Sequence, residues 1–503
     1  MASNLKKIEY KGWSGGLNLL ADKLRVQSNQ LTEALNVRIL PDGVLMTRPG
    51  AAQVTGGVFT FADYYSIANY KGKYCFHFSD KTLISGTGVT LKTYANDNLG
   101  QFAFFNDTLL HGNGVDVMQS WNLAAATTSD VVGAPISRII LKHNDRIFAV
   151  TAYSSIVNET TVNTAIDFAG GAAWNIGKND GGDITGLASM DGDLFIFKQN
   201  SSWRMTGYSQ AERQIVKFLP DIGTLSPYSI KPVTLSGLGK AIVFLSTDNK
   251  LCAFNLSTFS NIGEVIQPML DTISLVSTVK DSPQSAVNVR AKQYMLSFRT
   301  SESALKKTCI CLHYESPYKS EFGLRWGFTR YVSGIEPANA PVSFQAITEA
   351  ENTDVIFGSV VGIASMAYMA YTFYDDLNYD LMDTVKTPTH FGILTRDEDC
   401  GDHDKLKQFR RIMIRFASIV HLTFQFIQFV ELQADTGTIS IEIMIPSTAS
   451  LEYVSEHWVG LLDSAKHCSL AINCNDKNGA SFPYFKLVGI QIYWKFGPQD
   501  NRP

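Results

Sequence analysis

Short apolar runs separated by polar turn residues recur along most of the chain, and the clearest example spans residues 181–209. Leu194, Ile196 and Phe197 follow an Asp-Gly turn at Asp191-Gly192. This pair predicts a β-hairpin, because glycine accepts the positive φ that a tight primed turn needs. A second polar turn at 199–202 leads into another apolar run. The stretch therefore predicts three short antiparallel strands.

Similar units recur from about residue 56 onward at irregular intervals. Their predicted turns and strands are Lys71-Gly72, Asn106-Asp107, Asn144-Asp145, Gly237–Gly239, Thr247–Asn249, Val287–Phe298 and Val355–Val361. The spacing of about 35 to 60 residues is typical of a propeller blade with four strands and variable loops. One such unit cannot bury both of its faces, and radial stacking supplies the missing cover. We predict an all-β fold built on an irregular β-propeller; an array of two-sheet sandwiches is the alternative.

Two flanking segments have different patterns. Residues 1–55 contain no hairpin of their own, and we expect an N-terminal arm with one or two helical turns between Gln30 and Asn36. Its remaining apolar residues are available to add to a sheet elsewhere. Residues 384–503 contain runs that alternate polar and apolar side chains, such as Phe409–Phe416 and 438–445, which predict a C-terminal β-sandwich. The predicted domains are therefore an arm (1–55), a propeller (56–383) and a sandwich (384–503).

The composition favours a soluble folded protein that has no strong affinity for nucleic acid. Hydrophobic residues make up 45% of the chain and charged residues 18%, which is sufficient for a buried core. The net charge is −4, from 47 acids and 43 bases, whereas a protein that grips nucleic acid has an excess of Lys and Arg. The longest apolar run, Val360–Tyr374, is shorter than the ~20 residues of a membrane helix. We expect no membrane-spanning segment and no signal peptide.

Motifs of catalysis and metal binding are absent from the sequence. There is no G-x-S-x-G, H-E-x-x-H or phosphate-binding G-x-x-x-x-G-K-[ST] motif. The seven cysteines lack a C-x₂-C pair, so we expect reduced structural thiols. The loop Asp397–Asp404 carries five carboxylates and His403, and it is either a calcium site or a solvated acidic loop; its spacing does not match an EF-hand. We predict no catalytic residues, no metal and no cofactor.

Three segments together resemble the tail nozzle proteins, also called tail tubular protein B-like proteins, and related propeller-bearing hub proteins of short-tailed bacteriophages. The arm is similar to the family's opening pattern through Gly15, Gly16, Leu17, Asn18, Asp22, Leu24, Asn36, Gly43, Arg48, Pro49 and Gly50. The central blade of the family is similar to Asp183–Leu187, Gly192–Lys198 and Ser202–Gly207. The blade that follows is similar to Gly223–Pro227 and Val243–Lys250.

The resemblance implies a virion protein of the phage tail, made in the host bacterial cytoplasm. In this family the chain forms a homo-oligomeric ring, a hexamer, docked under an adaptor protein on the portal side. The ring conducts double-stranded DNA non-specifically during ejection and carries tail fibres or spikes. We expect the arm and the sandwich to form the docking platform, with Gly15, Gly16, Asn18, Arg48 and Pro49 as its assembly residues.

Three other functions remain open from the sequence. A propeller of a phage tail could bind a receptor or a glycan, and a stopper or neck protein of another tail type would share the same composition. An enzyme on a propeller, such as a hydrolase, is the third alternative, because two catalytic carboxylates cannot be identified from sequence alone.

Overall fold

The computed structural model describes residues 5–54, 63–162, 166–178, 180, 182–273, 282–300, 308–320, 323–332, 344, 346–349, 355–361, 367–374, 379–382, 385–388, 391–400, 405, 407–418, 422–429, 437–443, 455–460, 464–473 and 485–496. The chain divides into two compact units. The first unit contains residues 1–52, 310–337 and 374–503. The propeller unit contains residues 53–309 and 338–373.

Five four-stranded antiparallel sheets follow one another along the propeller unit. They are β7 Tyr64–Tyr70, β8 Lys73–Phe78, β9 Thr82–Ser85 and β10 Thr90–Thr93; β11 Gln101–Phe105, β12 Thr108–Gly112, β13 Gln119–Trp121 and β14 Ser129–Asp130; β15 Ile139–His143, β16 Arg146–Val150, β17 Ile156–Glu159 and β18 Ala172–Asn175; β19 Ile184–Met190, β20 Asp193–Lys198, β21 Ser202–Thr206 and β22 Gln214–Leu219; β23 Lys231–Leu235, β24 Gly239–Leu245, β25 Leu251–Phe254 and β26 Phe259–Asn261.

Two further positions complete the ring of blades. The sixth begins with the hairpin of β27 Gln284–Asn288 and β28 Gln293–Phe298, and the seventh contains β31 Ala346–Glu349, β32 Val355–Val361 and β33 Ala367–Tyr374. The first strand of each blade contacts the first strand of the next, from β7 through β11, β15, β19, β23, β27 and β31, and β31 returns to β7. The described part of this unit therefore has seven inner strands around one axis, and the predicted all-β propeller is confirmed.

Hairpin turns lie where the sequence predicted them. Asp191 and Gly192 have φ of 52° and 85°, and Lys71 and Gly72 have φ of 49° and 70°. These left-handed values match the twist of the strands on either side of a primed turn. Asn106 and Asn144 occupy the equivalent positions with φ of 51° and 50°, and asparagine tolerates this region better than most side chains.

The core of the propeller unit lies between consecutive blades. The β8 strand shows the principle, because Phe76 and Phe78 face the seventh blade while Cys75 faces the second. Further clusters lie between blades two and three, three and four, and four and five. Blades one to four thus bury both faces against their neighbours, which is why their strands are apolar on both sides and not only on one.

The first unit contains the arm strands and most of the C-terminal strands. Its strands are β1 Lys6–Tyr10, β2 Gly16–Leu17, β3 Gln30–Leu35, β4 Val37–Ile39, β5 Leu45–Thr47, β6 Gly50–Gln53, β29 Thr308–Ser320, β30 Gly323–Tyr331, β34 Tyr379–Met382, β35 Val385–Pro388, β36 Gly392–Thr395, β37 Lys407–Ser418, β38 Leu422–Phe429, β39 Gly437–Ile443, β40 Ser455–Gly460, β41 Ser464–Ala465, β42 His467–Asn473 and β43 Phe485–Phe496. The helical segments of the described chain are short: three 3₁₀ turns (Gln210–Glu212, Pro227–Ser229 and Glu264–Ile266) and α1 Gln267–Leu270, all in the propeller unit.

Arm strands are inserted directly into the sheets of the first unit. The long strand β43 pairs along one side with β37 and along the other with β1 and β5. In the second sheet β2 lies between β30 and β3, and β3 also pairs with β36. The buried residues Ile412 and Ile414 lie opposite Ile492 and Ile490 in the β37–β43 pair.

The helical turns predicted between Gln30 and Asn36 are wrong, because Gln30–Leu35 is strand β3. Leu31 and Ala34 are buried, and β3 hydrogen-bonds to strands on both sides. Pairing with strands that are distant in sequence outweighs the weak local preference of a short segment for helix.

Candidate functional site

The seven inner strands line an axial cavity in the propeller unit with a volume of about 660 Å³. Each inner strand, or the segment leading into it, contributes to the wall, through residues 66–70, 100–102, 104, 140–142, 187–189, 227–228, 230–232, 284–285 and 347–349. This volume lies in the range of ~300–1,000 Å³ that is typical of small-molecule sites. The axial cavity is therefore the candidate binding site of this unit.

Side-chain amides in the axial cavity link inner strands of different blades. Each inner strand is the edge of its blade nearest the axis, so the N–H and C=O groups on its unpaired side need partners. The Gln101 Oε1 accepts from the Ile140 N–H at 3.3 Å. The Gln284 Nε2 donates to the Tyr65 carbonyl at 2.8 Å, and its Oε1 accepts from the Ile347 N–H at 3.3 Å. These bonds link inner strands that share no backbone ladder.

The wall contains three charged side chains, of which two form an ion pair with each other. Glu349 accepts from the Val287 N–H at 2.9 Å through Oε1 and from Lys231 Nζ at 2.7 Å through Oε2. Lys142 also lines the cavity, and its ammonium group has no carboxylate partner among the described residues. The described wall therefore carries a net positive charge.

Two hydroxyl groups of the wall are buried and have no hydrogen-bond partner in the described chain. They are Ser66 Oγ, on a residue only 8% exposed, and the Tyr228 hydroxyl. Burial raises the pKa of Tyr228, so its hydroxyl stays protonated and remains a donor. Both oxygen atoms are enclosed by protein, so a ligand in the cavity does not reach them, and each unsatisfied hydroxyl costs about 1–3 kcal/mol.

A pair of buried histidines lies beside the axial cavity, between the first two blades. His77 lies opposite Ser66 in the β7–β8 pair, and its ring centroid is 4.5 Å from that of His111. Tyr94 and His111 Nδ1 share a hydrogen bond of 2.6 Å, whereas neither nitrogen of His77 has a partner among the residues that the structure describes. Burial lowers the pKa of His77 to about 3 and holds that of His111 well below its usual value. Both rings are therefore neutral at physiological pH.

A buried ion triad joins the third and fourth blades. Glu159 accepts from Arg213 Nη2 at 2.8 Å and lies 4.0 Å from Arg146 Nε; its other oxygen accepts from Trp174 Nε1 at 3.3 Å. The side chains of Glu159 and Arg213 are fully buried. Burial and the two arginines lower the pKa of the neighbouring His143 to about 4.

The sequence did not identify the axial residues, the histidine pair or the triad. The sequence pattern indicated only that side chains alternate between the two faces of a strand, which places His77 on the same face as Cys75 inside an apolar run. Which inner-strand residues meet at the axis depends on how seven distant segments come together, and no local pattern contains that information.

Gly15 and Gly16, predicted as assembly residues, lie within the first unit where neighbouring atoms leave no room for a side chain. Gly16 has a φ of +58°, and a Cβ there would lie 2.4 Å from the Phe328 carbonyl oxygen. A Cβ at Gly15 would lie 2.4 Å from Gln30 Cγ. Strand β2 can lie between β30 and β3 only because these two residues lack side chains.

Hydrogen bonds within the arm involve the predicted assembly residues Asn18, Arg48 and Pro49. Asn18 Oδ1 accepts from the N–H groups of residues 20 and 21 at 3.0 and 3.1 Å, and its Nδ2 donates to Gln30 at 2.8 Å. The buried Arg48 donates from Nε to Asn36 Oδ1 at 3.1 Å and from Nη1 to the Pro49 carbonyl at 2.9 Å. The two glycines and these three residues lie in one folded unit, and their part in assembly stays a prediction.

The acidic loop 397–404 lies partly outside the described residues, because Asp402, His403 and Asp404 are not among them. Glu398 is 4% exposed, so the prediction of a solvated loop is wrong at this residue. It accepts from the Tyr10 hydroxyl at 2.7 Å and from Arg396 Nε at 2.6 Å. Burial and the nearby Glu398 raise the pKa of Tyr10.

The described residues contain neither a metal-binding cluster nor a membrane-spanning helix. No group of three or more His, Cys, Asp and Glu side chains is arranged to hold a metal ion there. Over the same part of the chain, no helix has the length and apolarity needed to cross a membrane.

No protein-family model matches the chain, and no curated protein matches its sequence. Solved structures similar to it include BamB from Moraxella catarrhalis, with 12% identity, 67% of this chain and 94% of that chain covered, and a TM-score of 0.37. YCF48 from Cyanidioschyzon merolae has 10% identity, coverage of 65% and 98%, and a TM-score of 0.39. The N-terminal domain of Nup159 has 10% identity, coverage of 68% and 99%, and a TM-score of 0.36. TM-scores this low say nothing about function. The propeller fold is assigned from the sheet topology of the chain itself.

Proposed function

We propose that this chain is a structural protein of a short-tailed bacteriophage tail, in which several copies form a ring that docks under an adaptor and conducts DNA during ejection. The proposal contains no catalytic step and no cofactor. It rests on the family resemblance of the arm and two blades.

The placement of the arm residues is the observation that carries the proposal. Gly16, Asn18 and Arg48, which carry the resemblance, anchor the arm inside the sheets of the first unit. The same unit contains the C-terminal strands that the sequence assigned to a docking platform. A folded platform made from both ends of the chain suits a subunit that must dock on another ring.

The size of the axial cavity supports a passage between copies and not within one copy. One turn of duplex DNA, ~34 Å long and on the order of 20 Å wide, occupies on the order of 10⁴ Å³. The axial cavity has about 660 Å³, so a duplex cannot enter it. In the proposed ring the DNA passes through the central opening. A net charge of −4 per chain suits the wall of this opening, because a basic wall would bind the DNA phosphates and retain them.

The test is to locate the chain in purified particles of the phage that encodes it. Quantitative mass spectrometry should find it as a small fixed multiple, six copies per particle, and immunogold labelling should place it at the tail. Image averages of the isolated tail should show a ring with a hole on the order of 20 Å or wider. Absence of the chain from washed particles would refute the proposal, as would labelling on the capsid alone.

A further inference from the structure

We propose that an exposed apolar belt on the propeller unit binds the arm loop of a second copy of this chain. The arm loop is residues 19–25 of the first unit. The belt consists of five side chains of the propeller unit: Val115, Val117, Val132, Ile136 and Tyr153. The proposal rests on the proposed function in one respect, that several copies assemble, and it names the surfaces through which they do so.

All five side chains of the belt are large and apolar, and all are exposed. Their exposed fractions are 38% for Val115, 46% for Val117, 88% for Val132, 46% for Ile136 and 67% for Tyr153. A contiguous apolar patch that the chain itself leaves uncovered marks a surface for a protein partner.

Backbone hydrogen bonds bring two loops of the second blade together in the belt. The Val131 N–H donates to the Met118 carbonyl at 2.9 Å. Val132 follows the first of these residues and Val117 precedes the second, so the two valines lie opposite each other, as cross-strand neighbours do.

The belt continues from the second blade onto the third. The Gly114 N–H donates to the Ser137 carbonyl at 3.1 Å, which places the loop that holds Val115 beside the segment that holds Ile136. The N–H of residue 152 donates to the Ile136 carbonyl at 2.9 Å, directly before Tyr153. The five side chains therefore form one patch across two blades.

Tyr153 is the expected anchor of the belt. Its φ of 52° is a left-handed conformation that bulky side chains rarely adopt, and residues held in this way cluster at binding sites. The Arg138 guanidinium lies 5.7 Å from the centre of its ring and restrains the ring without covering it. Tyrosine is also enriched among the residues that contribute most to binding between proteins.

The arm loop presents two exposed leucines from an ordered backbone. Leu20 and Leu24 are 55% and 39% exposed. The Asn18 side chain accepts from the N–H groups of residues 20 and 21, and Asp22 Oδ1 accepts from the Leu24 N–H at 3.0 Å. The N–H groups of residues 25 and 26 donate to the Asp22 carbonyl at 2.7 and 3.1 Å. Because the loop is already ordered, little conformational entropy is lost when a partner covers its leucines.

The arm loop has a net positive charge. Lys23 and Arg25 are exposed and form no ion pair with the described residues, and Asp22 is the one acid of the loop. A partner surface with a net negative charge would therefore attract the loop and fix its orientation.

The belt is bordered by such a charge, which selects a second copy of this chain as the partner. Asp116 belongs to the belt loop 113–118, and it accepts from the N–H of Asn96, which precedes the exposed Asp97. Arg138 is the one base that contacts a belt side chain among the described residues. Each copy thus carries both halves of one contact. Contacts between two different patches run head to tail, and they form a ring where the rotation between copies closes.

The experiment measures self-association of the full chain by sedimentation velocity. The unmodified chain should associate, and both Val132→Ser and Leu20→Ser should weaken the association about tenfold or more. Tyr153→Gly should weaken it about thirtyfold or more. Glycine accepts the φ of residue 153, so this variant should keep the Tm of the separate chain.

Val289→Ser is the matched control, because Val289 is a valine of the propeller unit that is 43% exposed and lies outside the belt. Its association should equal that of the unmodified chain. A photoreactive phenylalanine analogue in place of Val132 then identifies the contact. In a mixture of isotope-labelled and unlabelled chains, it should cross-link to residues 19–25 of the other copy.

Three results would overturn the proposal: a monomeric chain at about 100 μM, equal association of Val132→Ser and Val289→Ser, or cross-links to another copy that lie outside residues 19–25. The role in the tail has its own readout, the presence of the chain in washed particles. A chain that is present in particles without this cross-link refutes the belt contact alone. A chain that associates through the belt and is absent from particles refutes the tail role alone.

Discussion

At the scale of single residues, the fold depends on positions where only one kind of side chain fits. Gly16 combines a left-handed backbone with direct contact to the backbone of strand β30. Asn36 has a φ of 52°, and its Oδ1 accepts from both Arg48 Nε and the Val332 N–H. In the structure these residues connect strands that are far apart in the chain.

Gly16→Ala should lower the free energy of unfolding of the first unit more than Gly43→Ala does. Both residues have positive φ, which costs an alanine about 1–2 kcal/mol. The nearest atom to a Cβ at Gly43 lies at 3.5 Å, whereas a Cβ at Gly16 meets Phe328 at 2.4 Å. We expect a further loss of about 2 kcal/mol in Gly16→Ala, measured by urea unfolding. Equal losses in the two variants would contradict the contact seen in the structure.

At the scale of elements, hairpins and their turns followed from local sequence, and contacts between blades did not. Asp191-Gly192 specifies its turn through backbone preference alone. The triad of Arg146, Glu159 and Arg213 joins two strands of the third blade to the segment preceding β22. A buried ion pair contributes to stability only as a complete set, since removal of one partner leaves an uncompensated charge.

Glu159→Gln should destabilise the propeller unit by about 3–5 kcal/mol, because it leaves two buried arginines without their carboxylate. Asp191→Asn is the matched control, since its ion pair with Lys240 is exposed and also joins neighbouring blades. An exposed pair of this kind contributes less than about 1 kcal/mol. Denaturant midpoints of both variants measure the difference, and a loss below about 1 kcal/mol in Glu159→Gln would show that the triad is dispensable.

At the scale of the whole molecule, the propeller unit closes through seven inner strands, and closure buries groups that titrate. His77 and His143 have pKa values lowered to about 3 and about 4, in both cases mainly by burial. The unfolded chain therefore binds protons near pH 6.5 that the folded chain does not bind until the pH is much lower. Stability is full above about pH 6.5 and falls as the pH decreases towards 4.

The free energy of unfolding of the propeller unit should decrease by about 2 kcal/mol for each such histidine between pH 7 and pH 5. His77→Phe should retain about that much more stability at pH 5, because it removes one titrating ring from a pocket lined by Tyr65, Tyr94 and His111. Urea unfolding at the two pH values measures both effects. A stability that does not change between pH 7 and pH 5 would rule out neutral buried histidines.

The sequence alone determined the all-β class and the turn positions, because hairpin turns and strand periodicity depend on neighbouring residues. It failed at Gln30–Leu35, where pairing with β2 and β36 makes a strand of a segment that resembles a short helix. Only the tertiary structure decided that the arm strands enter the sheets of the first unit. It alone also decided that Ser66, Gln101, Lys142 and Tyr228 meet around one axis. These arrangements depend on contacts between segments tens to hundreds of residues apart, and the residues adjacent in sequence do not specify them.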